Sequence, residues 1–384
     1  MKHFDIAARL TKLRNRMKAE GVDAFAVVES INVEYLTGFD YIRDTSNPHA
    51  VLITADEARF LTDARYLEVA QTQAAESSLW QIDDPGKKLV FKDMHELWNL
   101  ATYGTIALED SLPYRLFEAI KKSAQPAKVV PVKNWVEDIR TVKDAAELAR
   151  IEAAQNITDQ AFTQICGFIK PGLSEKEIAL ELEYIIRKLG ADAISFPPIV
   201  AAGPNGSLPH AVPSDRIVQA GDLLTLDFGA GYGGYCSDMT RTVFVSSKDE
   251  VDSENASSSQ RQQPSDEQRR IYETVLAAQE ASLAAFKAGV RGIEVDAAGR
   301  KVIEEAGYGD YFVHGTGHGV GLYIHELPNA TPRSEEKLPA GSVLTCEPGI
   351  YIPGKLGVRI EDMVIVTEEG SRNITTSPKE LLII

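Results

Sequence analysis

Residues 4–20 bring Phe4, Ile6, Ala7, Leu10, Leu13 and Met17 back at helical spacing among charged and polar neighbours, which predicts an amphipathic helix. Val22 to Val28 then reads as a buried strand. Val51-Leu52-Ile53-Thr54 and Arg59-Phe60-Leu61-Thr62 read as paired strands around a turn at Ala55-Asp56-Glu57. Tyr35-Leu36-Thr37-Gly38-Phe39 closes a short segment and opens a loop that runs to Pro48. Helical and strand-like pieces continue to Val129-Val130-Pro131-Val132, so residues 1–133 are predicted to form an α/β domain of their own. A connection over 134–143 leads into a long helix, Ala145 to Ile169, stopped by Pro171-Gly172. A second helix, Glu175 to Leu189, ends at Gly190. The stretch 247–265 is rich in Ser, Gln, Asp and Glu and poor in apolar residues. It is predicted to be a flexible surface insertion.

After the second helix the apolar period changes to that of strands. Gly221-Asp222-Leu223-Leu224-Thr225-Leu226-Asp227-Phe228-Gly229 runs into Gly231-Tyr232-Gly233-Gly234, and the chain returns through Cys236-Ser237-Asp238-Met239-Thr240-Arg241-Thr242. This is a β-hairpin pattern. A turn centred between Tyr232 and Gly233 sets Asp227 directly opposite Asp238, and two facing carboxylates repel unless a cation lies between them. The phrase then recurs: Ala340-Gly341-Ser342-Val343-Leu344-Thr345-Cys346-Glu347-Pro348-Gly349 copies 220–229, with Glu347 in the place of Asp227. Lys287-Ala288-Gly289 likewise copies Lys170-Pro171-Gly172, again between two helical segments. An internal repeat therefore organises residues 134–384. In the second copy a three-residue turn at Pro353-Gly354-Lys355 faces Glu347 with Glu361.

Composition narrows the chemistry. Of the 384 residues 40 are Lys or Arg and 56 are Asp or Glu, a formal charge of −16. That balance argues against a nucleic-acid binder that relies on general electrostatics. Cys166, Cys236 and Cys346 are too scattered for a disulfide framework or a cysteine zinc site, and Cys236 and Cys346 fall inside predicted strands as core thiols. No stretch is long and apolar enough for a membrane span, and the start lacks the apolar run of a signal peptide, so a cytoplasmic protein is expected.

Of the 7 histidines, His210 follows a Pro- and Gly-rich phrase, and His314, His318 and His325 sit in or beside Val313-His314-Gly315-Thr316-Gly317-His318-Gly319. The glycines rule out a helical His pair and suit a backbone crowded against a ligand or another strand. The two hairpins and His318 supply four carboxylates and one imidazole. That is more negative charge than one ion takes, and it fits two divalent ions bridged by carboxylates, Mn²⁺ first, with Co²⁺ or Zn²⁺ possible. Metal-assisted hydrolysis follows as the reaction class.

The phrases LDFG, SDMTRT, HGTGHGVGL, EPGIYIP and GVRIEDMV, carrying Asp227, Asp238, His318, Glu347 and Glu361, resemble the proline-specific metallopeptidases, the aminopeptidase P and prolidase group. The resemblance is strong from about Asp138 to the end and consistent over the first 133 residues. It implies an α/β (α+β) protein. A smaller creatinase-like domain covers 1–133. A pita-bread catalytic domain with an internal pseudo-twofold repeat covers 134–384. By position, Asp227 and Asp238 bind one ion, Asp238 and Glu361 bridge both, and His318 and Glu347 complete the other. Glu347 would also move the proton of the attacking water. His210 would assist the leaving proline, His325 would bind the scissile carbonyl, and His314, Tyr351 and Arg333 would shape the substrate site. Arg359 would support a ligand carboxylate from behind.

The resemblance implies cleavage of the Xaa-Pro bond at the N-terminus of peptides, by a homodimer in which the loop Asp40 to Pro48 caps a partner's site. Many prolidases carry an Arg four residues after the His of the His-Glu pair, where it meets a dipeptide's carboxylate. Here that position is Asn329, with Arg333 further on. An Xaa-Pro aminopeptidase is therefore expected first and an Xaa-Pro dipeptidase as the alternative. A non-catalytic peptide-binding member of the fold and a creatinase-like hydrolase fit poorly, because both lack the metal set. Methionine aminopeptidase has no N-terminal domain of this size.

Overall fold

The computed structural model describes residues 4–39, 49–86, 88, 90–247 and 262–384. The loop 40–48 and most of the predicted insertion, 248–261, lie outside the described residues. The chain divides into two compact units, Met1–Arg140 and Thr141–Ile384.

The first unit contains α1 (Ile6–Glu20), β1 (Ala24–Val27), α2 (Ser30–Thr37), β2 (Ala50–Thr54), β3 (Ala58–Leu61), α3 (Leu67–Ser77), β4 (Gln81–Asp83), α4 (Val90–Leu97), β5 (Thr105–Glu109), α5 (Tyr114–Ser123), β6 (Lys128–Val132) and α6 (Glu137–Arg140). Its six strands lie in the order β4-β3-β2-β1-β5-β6, with β1, β5 and β6 parallel and β2 antiparallel to both neighbours. The predicted α1 forms because Leu10, Leu13 and Met17 share one buried face, Asp5 caps its start, and Gly21 at φ +66 ends it. Leu52, Met94, Trp98, Ile106 and Leu108 centre the core of this unit. Each such side chain contributes roughly 1.5–3 kcal/mol when fully buried.

The second unit begins with α7 (Ala145–Phe168) and α8 (Glu175–Lys188), then β7 (Ala193–Ile194), β8 (Ile199–Ala202), β9 (Leu223–Phe228), β10 (Ala230–Tyr232), β11 (Tyr235–Cys236) and β12 (Met239–Phe244). It repeats the order with α9 (Asp266–Ala285), α10 (Gly292–Glu305), β13 (Gly317–Gly319), β14 (Glu326–Ala330), β15 (Val343–Cys346), β16 (Gly349–Ile352), β17 (Leu356–Arg359), β18 (Asp362–Val366) and β19 (Ser371–Asn373). Capping boxes start α7 at Asp144 with Glu147, α8 at Ser174 with Glu177, and α9 at Ser265 with Gln268. Ser265, assigned by sequence to the insertion, therefore belongs to α9.

Strand alternation directs the acids inward. On β9, Leu224, Leu226 and Phe228 join the core under α7 and α8. The other face carries Leu223, packed in a separate core with Ile350 and Val358, and Asp227. On β15, Leu344 and Cys346 face the core containing Phe286 and Val295. Thr345 points the other way, donating to Glu347 Oε1 at 3.1 Å.

The second hairpin has the predicted register. Gly349 pairs with Arg359 and Ile352 with Leu356 around Pro353-Gly354-Lys355, and Cys346 pairs with Asp362 in the same register. Gly354, at φ +69, supplies the left-handed residue such a turn needs. The first hairpin does not have its predicted register. Asp227 pairs with Thr240, and Tyr232 with Tyr235, so the turn is Gly233-Gly234. Both glycines have positive φ, +54 and +92, as a two-residue turn matching the twist of the strands requires. Tyr232 cannot take that conformation cheaply, which decides between two turns one residue apart. The same register puts Gly229 across from Asp238. A Cβ at Gly229 would overlap the backbone of Ser237, so glycine is required there.

Candidate metal centre

Asp227, Asp238, His318, Glu347 and Glu361 all line one cavity of about 490 Å³. Although Asp227 and Asp238 are not a directly opposed pair, they reach the same space. An oxygen of Asp238, a ring nitrogen of His318 and an oxygen of Glu361 lie within 4.8 Å of one another. His318 Nε2 is 3.2 Å from Glu347 Oε1 and 3.6 Å from Asp238 Oδ2.

The second half of the unit holds the acids of the first, and the reverse. Arg359 donates from Nη2 to Asp227 Oδ2 at 2.5 Å, from Nη1 to the Tyr351 hydroxyl at 2.8 Å and to the Pro209 carbonyl at 3.1 Å, and from Nε to Thr240 Oγ1 at 2.9 Å. Thr240 in turn donates to Glu361 Oε2 at 2.7 Å. Asp227 Oδ1 and Glu361 Oε1 are buried and, among the described residues, accept no hydrogen bond. Two orphaned carboxylate oxygens in a buried acidic cluster are what a divalent cation would satisfy, and the oxygen-rich set with one imidazole suits a hard or borderline ion. The residues fit the metal centre expected from the sequence.

Electrostatics point the same way. Burial raises Asp238 well above the usual carboxylate range, and the charges of Glu361, Asp227 and Glu347 push it further. Burial, then repulsion from Glu347 and Asp227, does the same to Glu361. Burial also raises Asp227 against the pull of Arg359. Glu347 departs from this pattern. Burial works to raise it, but the hydrogen bond and charge of His318, with help from His314 and Arg359, hold it at about 2.

The histidines stand around this cluster. His314 is half-buried and its Nε2 lies 2.8 Å from the Tyr351 hydroxyl. Burial lowers its pKa. Its loop is clamped by Arg300 on α10, which pairs with Asp296 and donates to the carbonyls of Phe312 and His314, while Asp296 also accepts from the Thr316 backbone. His325 lies edge-on to His318 with ring centroids 4.4 Å apart, and burial lowers its pKa too. His210 is exposed at the cavity rim. Arg333, assigned to substrate by sequence, is exposed and outside the cavity lining. Tyr351 is buried and also outside the lining, its hydroxyl held between Arg359 and His314. The sequence reading did not pick out Thr240, the Asp296–Arg300 clamp, or the apolar run Phe196-Pro197-Pro198-Ile199 in the cavity lining. The Pro-Pro pair was the one local signal for that run.

Two pairs of helices and two hairpins bring five ligand-type residues to one cavity, the arrangement of a metal-dependent hydrolase. The family model for metallopeptidase family M24 matches residues 149–368, and that for the creatinase/prolidase N-terminal domain matches residues 9–142. The chain belongs to metallopeptidase family M24, whose enzymes use two metal ions. It is 36% identical to the Xaa-Pro dipeptidase of Pyrococcus furiosus over 97% of this chain and 99% of that one. The solved Xaa-Pro dipeptidase from Bacillus anthracis is similar at TM-score 0.89 and 40% identity, covering 99% of this chain and 100% of that chain. The X-Pro aminopeptidase from Thermotoga maritima is similar at TM-score 0.84 and 34% identity, covering 98% and 99%. Among the described residues no helix is long and apolar enough to cross a membrane.

Proposed function

We propose that this metallopeptidase is an Xaa-Pro dipeptidase, hydrolysing the bond between an N-terminal residue and proline. The observation that carries the chemistry is the cavity lined by two acids that each keep an orphaned buried carboxylate oxygen. The substrate class comes from the relatives. Asn329 had favoured the aminopeptidase over the dipeptidase, but the relatives at full coverage reverse that order, with Xaa-Pro dipeptidases at 36% and 40% identity. The apolar wall from Phe196 to Ile199 offers the proline ring a surface without hydrogen-bond demands.

When bound, two divalent ions, Mn²⁺ by our reading, polarise the scissile carbonyl and lower the pKa of a bound water. The chain does the rest. Asp227, Asp238, His318, Glu347 and Glu361 would hold the ions, with Arg359 fixing Asp227 through a guanidinium that Tyr351 and Thr240 orient. Glu347, kept ionised, takes the water's proton. His325 donates to the carbonyl oxygen as negative charge develops there. His210, at the exposed rim, passes a proton to the departing proline nitrogen. His314, held by the Tyr351 hydroxyl, forms part of one wall.

The test is kcat/KM for an Xaa-Pro dipeptide against the matching Xaa-Pro-Yaa tripeptide, after chelation and return of Mn²⁺. The dipeptide is expected to be the better substrate, and Arg333→Ala to leave both values within twofold. A preference for the tripeptide restores the aminopeptidase reading. Cleavage of neither by protein carrying metal removes both.

A further inference from the structure

The loop that carries His325 has few restraints of its own. Residues 320–325 connect β13 to β14, whose pairing slips between His318 and Gly319. Within the loop Gly321 donates to the Tyr323 carbonyl at 3.1 Å; from outside, Val320 is tied to the Val343 carbonyl at 3.0 Å, the Cys236 N–H donates to the Gly321 carbonyl at 2.8 Å and its Sγ lies 3.9 Å from the Leu322 carbonyl, all short of His325. Tyr323 is half exposed. Among the described residues the His325 ring nitrogens make no hydrogen bond, and the ring rests on edge contacts with His318 and Tyr323. Yet the reaction read above needs this ring aimed at one carbonyl oxygen.

A buried charge sits at the end of this loop. The Glu326 carboxylate, next in sequence to His325, turns inward to the Lys143 ammonium, with 2.7 Å between Nζ and Oε1 and the lysine side chain 0% exposed. The approach is oblique, an ion pair more than an aligned hydrogen bond, and among the described residues the ammonium has no other polar partner. The same carboxylate fills the space that a Cβ at Gly321 would need, so it bears on both ends of the loop at once. Lys143 starts from a fixed base. Its N–H donates to the Gly341 carbonyl at 3.0 Å, and the next residue, Asp144, caps α7. A sealed ion pair is a poor source of stability, because desolvation offsets most of its attraction. Its geometry is specific, and what it specifies here is the path of residues 321–326.

We propose that Lys143 is a positioning residue: through Glu326 it anchors the 320–326 loop and thereby fixes the His325 ring over the metal centre. The proposal rests on the hydrolase reading for its kinetic readout but not for its structural one. Lys143→Met keeps the length and removes the charge. In this variant, amide hydrogen exchange over 320–326 is expected to quicken at least tenfold, with the rest of the second unit within twofold and bound Mn²⁺ unchanged. Turnover of an Xaa-Pro dipeptide is expected to fall at least tenfold with KM within threefold. In a His325→Ala background, Lys143→Met is expected to cost less than twofold more, because the two act through one ring. Lys143→Met removes the countercharge of a buried carboxylate, so the paired variant Lys143→Met with Glu326→Gln, which buries no charge, is the safer carrier of the same loss. Unchanged exchange and turnover in either folded variant overturns the proposal. So does an equal fall with and without His325, which would mean that the pair supports the site as a whole. If the unsubstituted enzyme cleaves no Xaa-Pro peptide, the proposed function fails while the exchange experiment still decides the anchor.

Discussion

Glu109 at the end of β5 and Glu361 just before β18 are 4% and 1% exposed, and their oxygens have different surroundings. Glu109 accepts at Oε2 from the backbone N–H groups of Val28 and Glu29, at 2.8 and 2.9 Å, and at Oε1 from Asn32 Nδ2 at 2.7 Å. Burial pushes its pKa up to about 7, against those donors. Glu361 accepts at Oε2 from Thr240, while among the described residues its Oε1 and Asp227 Oδ1 accept nothing. Glu109 ties α2 to the sheet of the first unit. Glu361 and Asp227 face a cavity. A buried acid with its acceptor positions filled is a structural element, whereas buried acids with orphaned oxygens on a cavity wall mark a site.

Breaking the second set should affect chemistry before stability. Glu361→Gln and Asp238→Asn are expected to lower kcat/KM by more than the roughly 10–100-fold typical of losing an outer partner of a metal ligand. The chelated variants should melt no lower than the chelated parent, because one like charge has left a buried cluster. Calorimetry after chelation, paired with kinetics in Mn²⁺, checks both, and a variant keeping more than a tenth of its activity would erase the contrast. Breaking the first set should do the reverse. Glu109→Leu strands three donors and should cost about 3 kcal/mol in urea unfolding, with the Mn²⁺ content of folded protein unchanged. Arg359→Lys tests the link between an acid and its support. An ammonium cannot serve Asp227, Tyr351, Thr240 and Pro209 from one plane, so a fall of roughly 10–100-fold is expected. A loss under threefold would reduce Arg359 to a point charge.

The smallest effect concerns His49, a buried base in the first unit. Its Nδ1 lies 2.7 Å from Thr62 Oγ1, and Phe39, Phe60 and Tyr66 surround the ring. Burial lowers its pKa to about 4, with Arg65 adding to the fall and Asp63 opposing it. The folded value lies below the unfolded one. The stability carried by the neutral ring is therefore whole above about pH 6.5 and is lost as the pH falls towards 4. Between pH 7 and 5.5 the loss should be about 1 kcal/mol, and His49→Phe should flatten that part of the curve.

Sequence patterns carried the repeat, the capped helices and the five ligand-type residues, because each depends on local periodicity or on a phrase that occurs twice. The second hairpin's register was legible because Pro353-Gly354-Lys355 offers one turn. The first was misread because Gly231-Tyr232-Gly233-Gly234 offers two, and only the sign of φ separates them. Arg333 looked available for substrate because chain distance from His325 says nothing about direction. Lys143 and Glu326 carried no local signal at all, since an ion pair between segments far apart in the chain leaves no periodicity behind.

The crossed support of the acids bears on how such a protein can be divided. Arg359 reaches Asp227, Thr240 reaches Glu361, and Arg241 on β12 reaches Asp362 on β18 at 2.7 Å. Cutting the polypeptide between β12 and α9 parts every one of these couples. Each fragment would keep two of the four acids and lose the side chain that holds one of them, Arg359 for Asp227 or Thr240 for Glu361, so neither is a smaller working enzyme. Mixed together, the fragments would recover metal uptake only in proportion to their reassembly, which makes the centre a direct reporter of fragment complementation. A primitive single copy of the repeat would have faced the same deficit and could have met it by pairing with another copy of itself.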